Sequence, residues 1–197
     1  MAPAERRDVI LRAALALFVE RGFGPATMAE VCARAGVSNG SLFHHFPSKE
    51  ALGAAVYLEG LGRYQARLLG ALRAEADAER GVRAAVGAHL AWVGENPDWA
   101  QFLFAMGRAE VAAAAPGELG ALNRPFFAAV EAWFAGHVAA GRVRAMPREV
   151  RAAVLVGPAQ EFCRGWLRRR DPAALERARP LLEGAAWRGV KAKKRKA

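Results

Sequence analysis

Apolar residues recur at helical spacing along nearly the whole chain, and this periodicity constrains the fold more than any other feature of the sequence. In the first segment, ERRDVILRAALALFVERGFG, residues Ile10, Ala14 and Phe18 fall on one face of a helix that Gly22 ends. The chain is rich in Ala, Leu and Arg and has almost no runs of β-branched residues, a composition that favours helices. The sequence therefore predicts an all-α fold, and 197 residues are enough to bury a substantial core.

Two short helices joined by a turn are predicted to follow the first helix. Thr27, with Glu30 three residues later, has the spacing of a capping box, in which a hydroxyl and a carboxylate satisfy free backbone N–H groups. This helix ends at Gly36, and Ser38 can cap the next one, which extends to about His45. Two short helices joined by a glycine-containing turn and supported by a longer first helix form a helix-turn-helix.

The rest of the chain is predicted to be helical as well. Pro47 interrupts the chain, and Ser48 can cap a long fourth helix. Five further helices are expected near residues 79–94, 98–113, 119–140, 147–169 and 172–188, which gives about nine in all. The expected parts of the chain are a helix-turn-helix domain at 1–47, a larger helical domain at 48–188 and a basic tail at 189–197.

The formal net charge of +10 is unevenly distributed along the chain. Residues 1–50 hold six Lys/Arg against five Asp/Glu, whereas residues 188–197 hold six Lys/Arg and no acid. A tail of this composition has no apolar face to bury, so it is predicted to be disordered. It can add non-specific affinity for phosphate groups, but a basic tail as often serves only solubility, and the net charge alone therefore identifies no function.

Several protein classes are disfavoured by the sequence. No apolar stretch approaches the ~20 residues that cross a bilayer, and acids and arginines precede the first apolar run, which argues against a secretory signal. Cys32 and Cys163 lie far apart among apolar residues and are expected to be reduced, which favours a cytoplasmic protein without a membrane partner. The common enzyme motifs and metal-ligand spacings are not found, so no catalytic residue, cofactor or metal is expected.

The third helix has one apolar face and one polar face. Leu42 and Phe46 can pack against the second helix, which leaves Asn, Ser and His side chains free to reach base edges in a DNA major groove. Gly40 permits a close approach to DNA, the Thr27 hydroxyl suits a phosphate oxygen, and Lys49 adds a cation directed at phosphate. The residue types alone are equally compatible with the polar surface of an ordinary helical bundle.

The order of these signals points to a known family. Residues 6–52, RRDVILRAALALFVERGFGPATMAEVCARAGVSNGSLFHHFPSKEAL, resemble without a gap the DNA-binding domain of the tetracycline-repressor (TetR) family of transcriptional regulators. By position, the resemblance implies a DNA-binding surface made of Thr27, Ser38, Gly40, Ser41, Phe43, His44 and Lys49. Asn39 is added to this surface because it lies at the start of the third helix, on the side expected to face the groove. Phe43 departs from the family's usual tyrosine, whose hydroxyl bonds a phosphate, and loses that bond at a cost of about 1 kcal/mol.

The resemblance further implies that residues 48–188 bind a small effector. Aromatic residues cluster in the middle of the chain, and two histidines on apolar helices can supply polar groups, so a largely apolar or aromatic ligand is expected. The candidate pocket residues are His89, Trp92, Trp99, Phe102, Phe127, Trp133 and His137. Each of them is also a residue that an ordinary helical core would contain.

The family pairs two subunits through its last two helices. The penultimate helix of this chain carries two apolar stripes, and a helix that is apolar on two sides needs two partners. The predicted dimer interface consists of Leu155, Ala159, Phe162, Trp166, Leu175 and Leu182. A central helix of a monomeric bundle is the alternative interpretation of the same pattern.

These observations predict a ligand-responsive transcriptional regulator. It is expected to bind a palindromic operator in double-stranded DNA as a homodimer, and the habit of the family favours a repressor that a small-molecule effector releases. The alternatives are an activator of the same family and a non-specific, basic nucleic-acid-binding helical protein. The sequence does not identify the effector, the operator or the regulated genes.

Overall fold

The computed structural model describes residues 3–193, with the backbone alone at residues 3, 4 and 108. The regular structure of this part of the chain consists of ten helices and one isolated antiparallel bridge, which confirms the predicted all-α class. The helices are α1 (Pro3–Arg21), α2 (Met28–Ala35), α3 (Asn39–His45), α4 (Lys49–Arg73), α5 (Ala78–Glu95), α6 (Pro97–Ala105), α7 (Arg108–Ala114), α8 (Glu118–Ala139), α9 (Arg148–Trp166) and α10 (Pro172–Val190). None of these described helices is both long and apolar enough to span a membrane.

The helix expected over 98–113 is in fact two helices, α6 and α7, which brings the described helices to ten where about nine were expected. The break lies at Gly107, whose backbone is extended (φ −73°, ψ 142°). The N–H of Gly107 donates to Glu110 Oε2 at 3.1 Å, a contact typical of the start of a helix. The capping contact therefore starts a new helix at a point where the apolar periodicity of the sequence predicts one continuous helix.

The chain folds into two compact units, each built from two segments. The first unit comprises Met1–Gly62 and Asp98–Leu122, and the second comprises Arg63–Pro97 and Asn123–Ala197. Helices α4 and α8 each contribute residues to both units. The division at residues 47 and 188 drawn from the sequence stays a prediction about function.

The core of the first unit is built on the apolar face of α1. Ile10, Ala14 and Phe18 are buried, as the periodicity predicts. The Phe18 ring stacks on Phe102 of α6 with centroids 5.5 Å apart, and meets the edge of Phe23 at 5.1 Å. Helix α1 packs against α2, and α2 packs against α3. A helix distant in sequence, α6, thus completes the core that supports the helix-turn-helix.

In the second unit α5, α9 and α10 pack against one another. Their contact buries side chains from all three helices, among them His89, Cys163 and Ala186. Helices α8, α9 and α10 continue through internal prolines at Pro125, Pro158 and Pro180, respectively.

An isolated antiparallel bridge joins Val143, after α8, to Lys191, after α10. The Arg144 N–H donates to the Val190 carbonyl at 2.9 Å, and the Ala192 N–H donates to the Arg142 carbonyl at 3.0 Å. The boundary predicted at residue 189 was therefore placed too early, because it falls inside α10 and the backbone is paired through Ala192. Residues 194–197 of the predicted tail lie outside the described residues.

We expect Gly60 and Gly70, both on α4, to respond oppositely to substitution by alanine. A Cβ at Gly60 would overlap the Trp99 ring, so Gly60→Ala should lower the free energy of unfolding by about 1–3 kcal/mol. Apart from the backbone of its own helix and its chain neighbours, no described atom lies within 4 Å of the Cβ position at Gly70. Gly70→Ala should therefore raise the free energy of unfolding by about 0.5–1 kcal/mol, since alanine is the better helix former. Urea unfolding followed by circular dichroism measures both, and equal effects would contradict the close packing at Gly60.

Candidate nucleic-acid interface

Helix α2 begins with the capping box that the sequence predicts. Thr27 Oγ1 accepts a hydrogen bond from the Glu30 N–H at 3.3 Å, and the Thr27 N–H donates to Glu30 Oε2 at 2.9 Å. The Thr27 hydroxyl lies 2.9 Å from the same carboxylate oxygen and donates its proton to it. The hydroxyl that the resemblance assigns to a phosphate thus already has an acceptor inside the protein.

Two ion pairs tie α2 to α1. Glu30 pairs with Arg21, and Arg34 pairs with Glu20 at 2.5 Å. The pKa of Glu30 is lowered, first by the hydrogen bond from the Thr27 side chain, then by the Thr27 backbone and by the charge of Arg21. Exposed pairs of this kind add little stability, but here they connect the same two helices that the buried face of α1 holds together.

The turn between α2 and α3 has the backbone geometry of a helix-turn-helix connection. Gly36 adopts the left-handed conformation (φ +66°), which glycine tolerates without strain, and it ends α2. Ser38 then caps α3, because its Oγ accepts a hydrogen bond from the Ser41 N–H at 3.2 Å. Leu42 and Phe46 are buried, as predicted. The direction in which α3 presents its remaining side chains is therefore set by its own buried face.

The predicted contact residues on α3 lie mainly on its exposed side. Asn39, Gly40 and His44 are exposed, Ser41 is half-buried, and the Phe43 ring is 49% exposed. No atom lies within 4 Å of the Cβ position at Gly40, so the surface there is open. Helix α3 carries no acidic residue, and its exposed face thus combines short hydrogen-bonding groups with an absence of negative charge on that helix.

Lys49 has a structural contact that the sequence analysis missed. Its Nζ donates to the Gly24 carbonyl at 2.7 Å and lies 5.1 Å from the centroid of the Phe23 ring. The side chain thereby joins the start of α4 to the loop before α2. An ammonium group has three protons, so donors remain for a phosphate. Ser48 caps α4 as predicted, accepting from the Ala51 N–H at 3.1 Å.

The predicted pocket residues are divided between the two units. Trp99 and Phe102 belong to the first unit, where both are buried in its core. The other five belong to the second unit. The His137 and Trp133 rings are 4.1 Å apart, whereas the Phe127 ring lies under the Arg148 guanidinium at 5.1 Å.

The remaining two, His89 and Trp92, share a neighbour that the sequence analysis overlooked. The Tyr64 ring meets both rings edge-on, with centroids 5.7 Å from His89 and 5.2 Å from Trp92. Tyr64 also lies 3.0 Å from His89 through its hydroxyl oxygen and Nδ1. The available signal was a tyrosine, one of only two in the sequence, on a helix otherwise rich in Leu, Ala and Arg.

The predicted dimer residues are partly used within the subunit. Ala159 and Trp166 are buried, and the Trp166 indole N–H donates to the Asp171 carbonyl at 2.6 Å. Four are half-buried, namely Leu155, Phe162, Leu175 and Leu182. The most exposed large apolar side chain on these two helices is Leu181, at 72%, which the sequence analysis did not select.

Within the described residues, no group of three or more His, Cys, Asp or Glu side chains is arranged to hold a metal ion. His44 and His45 lie beside each other on α3 with ring centroids 5.4 Å apart. The chemistry that the exposed face offers is therefore hydrogen bonding and apolar contact from α3, with one ammonium group beside it at Lys49.

Residues 10–56 match a family described as bacterial regulatory proteins, tetR family. Three curated relatives are HTH-type regulators. The repressor KstR2 of Mycolicibacterium smegmatis is 43% identical over 67 residues (32% of this chain, 33% of that protein), and the regulator UidR of Escherichia coli K12 is 46% identical over 61 residues (31% of each). The activator FasR of M. smegmatis is 36% identical over 100 residues (51% of this chain). The chain spans a third of KstR2 and 46% of FasR.

Solved structures resemble the chain over nearly its whole length. FadR from Bacillus subtilis, in complex with stearoyl-CoA, superposes with a TM-score of 0.77 at 14% identity and covers 93% of this chain and 98% of its own. A tetR family transcription regulator from Shewanella sp. PV-4 gives 0.74 at 24% identity, covering 95% and 99%. At these identities the likeness concerns the fold, a helix-turn-helix followed by a helical bundle.

The capping box makes the stability of the protein depend on pH through Glu30. The pKa of Glu30 in the folded protein lies below the usual 4.5. The carboxylate therefore contributes fully to the free energy of unfolding above pH 4.5, and this contribution is lost as the pH falls through the pKa of the folded protein. Glu30→Gln should therefore be less stable than the wild type at pH 7, with the difference shrinking in acid. Urea unfolding between pH 7 and pH 3 measures it.

Thr27→Ala is the matched comparison for that experiment. It removes the other half of the same capping box, so combining it with Glu30→Gln should cost less than the sum of the two single changes. A Glu30→Gln effect that is the same at every pH would contradict the assigned role of the carboxylate.

Proposed function

This chain belongs to the tetR family of bacterial regulatory proteins, and from that premise we propose that it is a ligand-responsive transcriptional regulator that binds double-stranded DNA as a homodimer in the cytoplasm. The observation that carries the proposal is the exposed face of α3, with short polar side chains on one side and Leu42 and Phe46 buried on the other. A major groove admits an α-helix with such a face.

We assign two kinds of contact to this surface. Asn39, Ser41 and His44 face the base edges, where amide, hydroxyl and imidazole groups can read donor and acceptor patterns. Ser38 and Lys49 face phosphates and fix the position of the protein on the duplex. Thr27 joins them if its hydroxyl proton turns from Glu30 to a phosphate oxygen. Gly40 lets the backbone approach, and Phe43 supplies an apolar contact in place of a hydroxyl.

The dimer is proposed to form through α9 and α10. These helices carry the half-buried apolar side chains named above and the exposed Leu181. A two-fold dimer requires a near-palindromic operator, with half-site centres roughly 34–36 Å apart or somewhat more.

Repression relieved by an effector is the proposed mode of action, and activation is its alternative, since KstR2 is a repressor and FasR an activator. The long acyl chain of the stearoyl-CoA bound to FadR supports an effector with a large apolar part here. Such an effector can release DNA only if it binds better to the conformation that does not hold DNA. We assign the coupling to α4, which carries residues of both units.

Selection of bound DNA from a random pool tests the proposal directly. We expect a near-palindromic site, and light scattering at micromolar concentration should give the mass of a dimer. Truncation after Ala192 removes four of the basic residues that close the sequence and is the control for non-specific binding. A specific regulator keeps its site preference after truncation, whereas loss of all binding, or a monomer with no preferred sequence, would overturn the proposal.

The two kinds of contact predict different responses to alanine substitution. His44→Ala and Ser41→Ala should change which bases are preferred, because they remove groups assigned to base edges. Lys49→Ala should weaken all sites alike and reduce the slope of log affinity against log salt by about one. Phe43→Tyr should tighten binding several-fold by restoring a phosphate contact. Binding to a panel of single-base operator variants measures these effects, and a change of base preference in Lys49→Ala alone would reverse the assignment.

A further inference from the structure

His89 carries a buried polar atom that the proposed function does not explain. The residue lies on α5 and is only 2% exposed. Its Nδ1 is engaged with the Tyr64 hydroxyl at 3.0 Å. Its Nε2 is buried and has no hydrogen-bond partner among the residues that the structure describes. Buried polar groups in native proteins are nearly always paired, so this atom calls for a partner from outside the chain.

The contacts of the ring favour a proton on Nε2. The tyrosine hydroxyl has one proton, and burial raises the pKa of Tyr64, so this proton is retained and can be donated to Nδ1. The ring proton of a neutral imidazole then sits on Nε2. The backbone of Ala159 raises the pKa of His89, as an acceptor near the ring does, but no partner meets hydrogen-bond geometry at Nε2. Nε2 is therefore a donor directed into the protein interior.

The surroundings of this donor are apolar. Trp92 is 5% exposed and Ala159 is 1% exposed, and the Tyr64 ring packs against both His89 and Trp92. Burial lowers the pKa of His89 to about 4, so the ring is neutral near pH 7. A neutral N–H can satisfy a neutral oxygen, whereas a carboxylate brought into such a site would be a buried charge without a counter-ion.

We infer that Nε2 of His89 is the polar recognition point for the effector, and that the effector is a largely apolar molecule with an uncharged hydrogen-bond acceptor, such as a ketone, ester or amide carbonyl. Tyr64 acts as a positioning residue that holds the imidazole in the required tautomer. The inference rests on the proposed effector-binding role. It adds the chemical class of the effector and the atom that donates a hydrogen bond to it.

Two matched sets of probes test the inference. One set is benzylacetone, butylbenzene and 4-phenylbutyrate, and the other is 2-octanone, octane and octanoate. Each set offers one apolar body with a ketone, with no polar group or with a carboxylate. In titration calorimetry on the full chain, we expect the ketone of at least one set to bind about five- to tenfold tighter than its two relatives, the contribution of one hydrogen bond. Its addition should also shift the ¹⁵N resonance of His89 Nε2.

The variants separate recognition from packing. His89→Phe keeps a planar ring and removes the N–H, so it should abolish the preference for the ketone over the hydrocarbon. His45→Phe, the same substitution on α3, should leave that preference unchanged. Circular dichroism checks that both variants fold, and the ¹⁵N shift in the unmodified protein gives a reading that does not depend on either variant.

The outcomes distinguish this inference from the proposed function. Tighter binding of the hydrocarbon or the carboxylate, a ketone preference that survives His89→Phe, or no binding by any probe would overturn the inference. Selection of a palindromic operator by the same protein would leave the proposed regulator intact in each of these cases. A ketone preference in a protein that selects no DNA site would instead overturn the regulator and leave the ligand site.

Discussion

The presentation of the exposed side of α3 depends on the burial of one face of α1. Phe18 lies at the centre of that face, stacked on Phe102 and edge-on to Phe23. The position of α3 depends on this core indirectly, because α1 packs against α2 and α2 packs against α3. Hydrogen bonds to base edges tolerate displacements of only about 0.5 Å. A substitution that leaves a cavity or an overlap around Phe18 would thus weaken the proposed DNA contacts by displacing α3, although the contact residues themselves are unchanged.

The polar groups of the proposed interface are also structural groups. The Thr27 hydroxyl belongs to the capping box of α2, the Ser38 hydroxyl caps α3, and the Lys49 ammonium holds the loop at Gly24. Side chains of this kind are positioned before DNA arrives, which lowers the entropic cost of ordering them on binding. Substituting these residues therefore removes a proposed DNA contact and also a hydrogen bond within the protein. The free energy of unfolding of each variant has to be measured together with its affinity for DNA.

Interactions between residues close in the sequence were predicted correctly, whereas interactions between residues far apart in the sequence were missed. Capping at Thr27 and Ser38 and the buried face at Leu42 were predictable, because each depends on residues within one or two helical turns. The contacts of Lys49 with Gly24 and of Tyr64 with His89 each join residues 25 positions apart, and no local pattern reports them. Trp99 and Phe102, chosen as pocket residues for their aromaticity, are buried in the first unit, and their role in a pocket stays a prediction.

The first unit is discontinuous in sequence, and this limits how it can be exchanged between proteins. Phe102 on α6 and Trp99 beside Gly60 are parts of its core, although a stretch of the second unit separates them from α1 and the start of α4. A chimaera that joins the N-terminal residues of this chain to the body of a relative at a single crossover would place Phe18 and Gly60 against foreign side chains. Transfer of the whole module requires three crossovers, after Gly62, before Asp98 and after Leu122, so that Asp98–Leu122 is carried together with Met1–Gly62. Recombination that exchanges the proposed DNA-binding helix α3 is thus constrained by packing against α6, a helix far from α3 in the sequence.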